Sequence, residues 1–330
     1  MTWKTHYLSP DPTQWRGRSD APPDSCFFQV VTMLDLLETQ TLSVSQPTFA
    51  FIGFRCDEGV RRNGGRIGAA EGPSAIRQAL AKLPVLKQNF QCIDAGNIVC
   101  LHGDLEASQH ALGEVVALLL KQKINPIVLG GGHELAWGHY QGIYKAFPDK
   151  HLGIINFDSH FDMRPLLPDN KGSSGTPFLQ IAEAHKASKS RFDYNCIGIQ
   201  HGGNIRQLID TAKSYDTHII WADELYLGQM DKCIDFIDRV VDQNEIIYLS
   251  LCLDVFSAAC APGVSAIQPL GLYPWHVLPL IRQLASSGKV ICYDIAEMSP
   301  RYDIDHCTSK LAAHLIHEFI HHHNDSPRHW

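Results

Sequence analysis

The chain has 330 residues, 45% of them hydrophobic and 19% charged, with a formal charge of −7. That is the composition of a globular protein with a sizeable core. The acidic balance, with no basic run, argues against a nucleic-acid partner, and no stretch approaches the roughly 20 apolar residues of a membrane span.

Residues 1–25, rich in Pro, Asp, Ser and Trp, read as an extended arm with no apolar signal core. Residues 26–38 read as a first helix. From about residue 48 apolar runs alternate with amphipathic ones. Strands are expected at 48–54, 91–95, 126–130, 152–158, 194–200, 218–221, 245–254 and 289–297. Pro73 opens a helix over 74–83. Leu105, Leu112, Val116 and Leu119 share one face of a helix ending near Lys123, and Leu311, Leu315 and Phe319 recur on a C-terminal one. Buried strands alternating with helices predict a three-layer α/β/α fold around a parallel sheet of about eight strands. No repeat or linker interrupts 1–330, so one domain is expected, with 1–25 as its arm. Ten cysteines are scattered without a CxxC pair. Cys92, Cys196, Cys252 and Cys292 fall in apolar runs, which reads as reduced thiols in a cytoplasmic protein.

The chemistry gathers where predicted strands end. After 126–130 comes Gly130-Gly131-Gly132-His133-Glu134, a tight turn without the Lys-Ser/Thr ending of a phosphate loop. After 152–157 comes Asp158-Ser159-His160-Phe161-Asp162. Residues i, i+2 and i+4 of an extended segment face one side, so Asp158, His160 and Asp162 project together. Cys252 and Asp254 do the same in Ser250-Leu251-Cys252-Leu253-Asp254. Two acids and a histidine beside a buried strand are costly unless paired or metal-bound. With His133 these make six donors, more than the three or four of an ordinary zinc site. They suit two divalent cations sharing ligands, and the oxygen-rich set favours Mn²⁺. Glu297, closing the last strand, could take a cationic group of a substrate. Arg55, Arg61, Arg62 and Arg66 crowd a glycine-rich stretch after the first strand and could clamp carboxylates. The histidines His321, His322 and His323 read as solvated or structural, and His139 and His201 as structural or as supports behind the ligands.

In this order the motifs resemble the ureohydrolase (arginase/agmatinase) superfamily, whose marks are a Gly-Gly-x-His turn, Asp-x-His-x-Asp and Ser-x-Asp-x-Asp. The similarity runs from about residue 48 to 320. Within the superfamily the chain looks most like the formimidoylglutamase family of histidine degradation. That likeness is carried by residues 53–68 (Gly-Phe-Arg-Cys-Asp-Glu-Gly-Val-Arg-Arg-Asn-Gly-Gly-Arg-Ile-Gly), by Ser173-Ser174-Gly175-Thr176-Pro177-Phe178, by Ala261-Pro262-Gly263-Val264-Ser265-Ala266 and by Trp15-Arg16-Gly17-Arg18-Ser19-Asp20. The resemblance implies metal-dependent hydrolysis of N-formimidoyl-L-glutamate to L-glutamate and formamide. Two Mn²⁺ per subunit would be held by His133, Asp158, His160, Asp162, Cys252 and Asp254. Asp162 would carry the proton and Glu297 would orient the formimidoyl nitrogens. Arg164, Arg62, Arg66 and Ser174 would bind the rest of a small amidine substrate. A homo-oligomer is expected. Four departures stand out. Ser174 and Arg164 replace a His and an Asn of arginases, and an arginine there fits a substrate with an extra carboxylate. Cys252 replaces an aspartate that bridges both metals, and a thiolate is softer, preferring zinc or iron. Ser257 and Ala258 replace an Asp-Pro pair. A related amidino or guanidino hydrolase and a metal-poor, non-catalytic relative are the alternatives.

Overall fold

The computed structural model describes residues 2–39, 44, 46–87, 89–226 and 228–324; Met1, the first residue of the expected arm, lies outside them. Eight strands follow the predicted alternation: β3 (Thr48–Arg55), β4 (Gln91–Val99), β5 (Asn125–Leu129), β6 (Leu152–Phe157), β7 (Asp193–Ile199), β8 (His218–Trp221), β9 (Ile246–Cys252) and β10 (Val290–Ala296). All pair in parallel. Two short strands precede them, β1 (Tyr7–Leu8) and β2 (Val31–Met33), making a ten-stranded sheet.

The two extra strands correct the reading of the N-terminal segment. The segment before residue 26 carries the 3-10 turns Trp3–His6 and Pro12–Gln14 on either side of β1; β1 adds antiparallel to β4 at Asn97 and Ile98 while β2 adds in parallel at Cys92, Ile93 and Asp94. The expected helix over 26–38 is a single turn, Phe27–Val30, that gives way to β2. The β-branched pair Val31 and Thr32 favours strand, and the unpaired edge of β4 supplies the partner. Trp15 of the arm donates to Asp94, whose carboxylate also takes a two-pronged bond from buried Arg77.

Strand residues alternate between two cores. On β3, Phe49 and Phe51 face one side, and Ala50, Ile52 and Phe54 the other. The first core is closed by the helices Gly72–Leu80, Met230–Gln243, Pro274–Ser286 and Cys307–His322, the second by Leu105–Lys121, Leu135–Ala146 and Pro177–Ser188. The sheet order β4-β3-β5-β10-β9-β6-β7-β8 puts β5, β10, β9 and β6 side by side in the middle. Ligands of open parallel sheets bind at the carboxyl ends of such strands.

Candidate metal centre and its cavity

Each central strand delivers one part of the site. Beyond β5 the chain turns through Gly130 and Gly131, at φ +40° and +99°. A Cβ on Gly131 would lie 2.4 Å from Phe54 O, so only glycine fits that close, left-handed turn. Gly132 N–H donates to Cys56 O at 3.0 Å and Glu297 N–H to Gly131 O at 2.8 Å, which lashes the turn to the ends of β3 and β10. His133 N–H donates to Glu297 Oε1 at 2.9 Å, and its ring points into the site. Beyond β6 the motif leaves the strand at Phe157. The convergence of Asp158, His160 and Asp162 therefore comes from a folded loop rather than from strand alternation. Its turn at Asp162 has φ +46°, and His160 N–H donates to Asp158 Oδ1 at 2.7 Å. Cys252 ends β9, and Asp254 lies in the 3-10 turn Leu253–Val255.

All six expected donors meet. Potential ligand atoms of His133, Asp158 and Cys252 lie within 4.8 Å of one another, and so do those of Asp158, His160 and Asp254. The two groups share Asp158, as a carboxylate bridging two cations would. His133 Nδ1 stands 3.0 Å from Asp158 Oδ2 and 2.9 Å from Asp162 Oδ2, yet it is buried with no directed hydrogen bond, as is Asp254 Oδ1. Buried polar atoms left without a partner in this way are suited to engage a divalent cation. The electrostatics agree. Burial, then the charge of Asp158, pushes the Asp162 carboxyl up to about 6. Burial, then Glu134 and Asp254, drives Glu297 well above the carboxylate range. Burial, then Asp158, Asp254 and Glu297, drives the Cys252 thiol far upward. Burial disfavours a charged His133, but its contacts with Asp158 and Asp162 outweigh this and raise its pKa well above the ordinary value. Against its burial, His133 and His160 hold Asp158 well below the usual carboxylate range, but the other acids resist ionisation, which is what a divalent cation reverses. The residues fit a dinuclear metal site.

The site opens into a cavity of about 290 Å³ lined by His160, Asp162, Cys252, Asp254 and Glu297 on the floor and by Asn63, Arg66, Arg164 and Ser174 on the walls. Glu297 Oε2 has no partner. The arginines separate sharply. Arg164 is exposed at the rim. Arg66 spends its guanidinium on Val264 O and Ser265 O and lies over the Tyr302 ring. Arg62 does not reach the cavity: it is bound to Glu58, Glu106, Gly103 O and Gly172 O. Ser174 accepts a hydrogen bond from Asn63 Nδ2 at 3.2 Å.

Sequence reading missed Gln268, whose amide lies 3.3 Å from His160 Nε2. It also missed Asp294, bonded to Ser250 beneath His133. An aspartate inside the apolar run Ile291-Cys292-Tyr293-Asp294-Ile295-Ala296 was the available signal. His139 is buried against that Asp294, and His321 and His323 pack into aromatic clusters.

Fold and site together define a metallohydrolase of the ureohydrolase type: residues 47–322 match the arginase family, and the chain belongs to it. Among its relatives, the formimidoylglutamase of Legionella pneumophila strain Lens is 41% identical over 316 residues, covering 96% of this chain and 98% of that one. The formimidoylglutamase of Geobacillus thermodenitrificans is 42% identical, covering 96% and 97%. The crystal structure of Trypanosoma cruzi formiminoglutamase with Mn²⁺ is similar at a TM-score of 0.75 and 26% identity, covering 87% of this chain and 97% of that one. No described helix is long and apolar enough to cross a membrane.

Proposed function

We propose that this chain hydrolyses N-formimidoyl-L-glutamate to L-glutamate and formamide at a dinuclear Mn²⁺ centre. The observation that carries the reading is the polarity of the cavity: an acidic floor beneath a rim where Arg164 is free of ion pairs among the described residues. A substrate that fits has a cationic amidine at one end and carboxylates at the other. The relatives named formimidoylglutamase, more than 40% identical over nearly the whole chain, support that substrate.

His133, Asp158, Asp162 and Cys252 would hold one cation and Asp158, His160 and Asp254 the other. Bound divalent cations supply the acidity that makes water a nucleophile near neutral pH. Glu297 Oε2, unpartnered in the cavity, accepts the amidinium N–H groups and turns the carbon toward the floor. Arg164 pairs with a substrate carboxylate, and Asn63 and Ser174 close the wall beside it. Asp162 takes a proton from the attacking water and returns it to the glutamate nitrogen as the C–N bond breaks. Water adds to the carbon, the amine leaves protonated, and the formimidoyl group ends as formamide. A substrate panel tests this. Formimidoylglutamate should release formamide, with agmatine and arginine yielding no urea; urea from either at a comparable rate would favour a guanidino hydrolase.

A further inference from the structure

Asp294 on β10 stands directly opposite Ser250 on β9 and is fully buried. A carboxylate inside a central strand is costly unless its lone pairs are used. They are. Oδ1 accepts from Ser250 Oγ at 2.7 Å, and Oδ2 accepts from the Tyr248 hydroxyl at 2.5 Å and lies 2.8 Å from His139 Nδ1. No atom of this network lines the cavity. It ends on a residue of the metal centre, because Ser250 Oγ is 2.9 Å from His133 Nε2.

The protons of this chain can be assigned. A serine hydroxyl has one proton, and Ser250 gives it to the carboxylate. Toward His133 its oxygen can then only accept, so Nε2 carries the ring hydrogen. In the neutral ring Nδ1 then keeps its lone pair, and Nδ1 is the atom facing Asp158 and Asp162, where a divalent cation would take the place of a second ring proton.

We propose that Asp294 is a positioning residue for the metal centre: through Ser250 it holds His133 in the Nε2–H tautomer and keeps Nδ1 available to a divalent cation. The inference rests on reading these residues as a metal centre. Outer partners of this kind orient a ligating histidine and set its basicity. Here the partner is one residue further out than usual, with serine as the relay. Tyr248 and His139 give the relay its direction. Both present a hydrogen to Oδ2, so in D294N the amide oxygen turns to them and the amide NH₂ faces Ser250. The Ser250 oxygen then accepts, its own proton turns to His133 Nε2, and the ring hydrogen moves to Nδ1, where a metal would bind.

The test is Mn²⁺ binding to the full-length protein, followed by electron paramagnetic resonance of free Mn²⁺, for the parent, D294N, S250A and S250A/D294N. The parent should bind two ions. D294N and S250A should each weaken one of them by roughly 10- to 100-fold. The double variant should be no weaker than S250A, since the route from Asp294 to His133 is already cut. A residue acting only on the fold would weaken binding by the same factor in both backgrounds, and that result overturns the proposal. So does D294N binding both ions like the parent. If D294N fails to fold, Y248F replaces it: its smaller weakening should vanish in S250A, and persistence there counts against the relay. A parent that binds fewer than two ions refutes the dinuclear reading itself, a separate outcome.

Discussion

Cys252 and Asp158 belong to the same donor triangle: with His133, their potential ligand atoms lie within 4.8 Å of one another. Cys252 is fully buried, so its sulfur points into the site as a ligand or is an inert core thiol. As a ligand it enters as a thiolate, and metal uptake releases its proton. C252D should then strengthen the weaker Mn²⁺ by about tenfold, and C252A should weaken it by a similar factor. Stoichiometry and affinity unchanged in both variants would leave the centre to the other five residues.

Arg164 and Arg62 differ in what their guanidinium groups meet, and their substitutions should fail differently. R164A should raise KM for formimidoylglutamate far more than for a carboxylate-free amidine, by roughly 2–5 kcal/mol of lost pairing if the contact is desolvated. R62A should leave that ratio unchanged and lower the melting temperature, because Glu58 and Glu106 lose their common partner. Steady-state kinetics on both substrates, with a thermal melt, separate the two roles.

The C-terminal histidines make the fold acid-sensitive. His317 and His321 stack with ring centroids 4.0 Å apart, and Leu86 N–H donates to His321 Nε2 at 2.9 Å, which requires a neutral ring. Burial, then the neighbouring His321, lowers the His317 pKa to about 4. In the unfolded chain a histidine titrates near 6.5. The unfolded state therefore binds the extra proton first, and stability falls as pH drops from about 6.5 through 4. H317Q, which can still donate to Pro84 O, should flatten that fall. Urea midpoints at pH 7 and pH 5 read it directly, and an equal drop in both proteins would remove His317 from the explanation.

Gly131 should tolerate no side chain. At φ +99°, with its Cβ position 2.4 Å from Phe54 O, G131A carries about 1–3 kcal/mol of backbone strain before any clash. The displaced turn carries His133. Metal affinity should therefore fall together with the melting temperature, and a stable variant with full Mn²⁺ content would show that the turn can relax.

The parallel sheet was legible because its strands are buried on both faces and so appear as continuous apolar runs. β1 and β2 were not, since an edge strand is defined by the neighbour it finds, and Val31-Thr32-Met33 pairs with β4 only in the folded chain. The meeting of the six candidate donors was legible in the motifs, though Asp158, His160 and Asp162 converge through a loop turned at Asp162 and not by strand alternation. Arg62 and Arg164 were indistinguishable as sequence: which guanidinium is spent on an ion pair depends on Glu106, more than forty residues from one and more than fifty from the other. Asp294 was hidden because its partner Ser250 lies on another strand, and the pair exists only through the register of β9 and β10.

The most direct test of the central claim is product analysis on metal-stripped protein with Mn²⁺ added back, using formimidoylglutamate as substrate and D158N as the control. Asparagine cannot bridge two cations as a carboxylate does, so D158N should lose both metal and turnover. The account predicts equimolar formamide and glutamate from the parent only after Mn²⁺ is restored. A parent with two Mn²⁺ bound that releases neither product, or a D158N protein that retains full metal and activity, would contradict it.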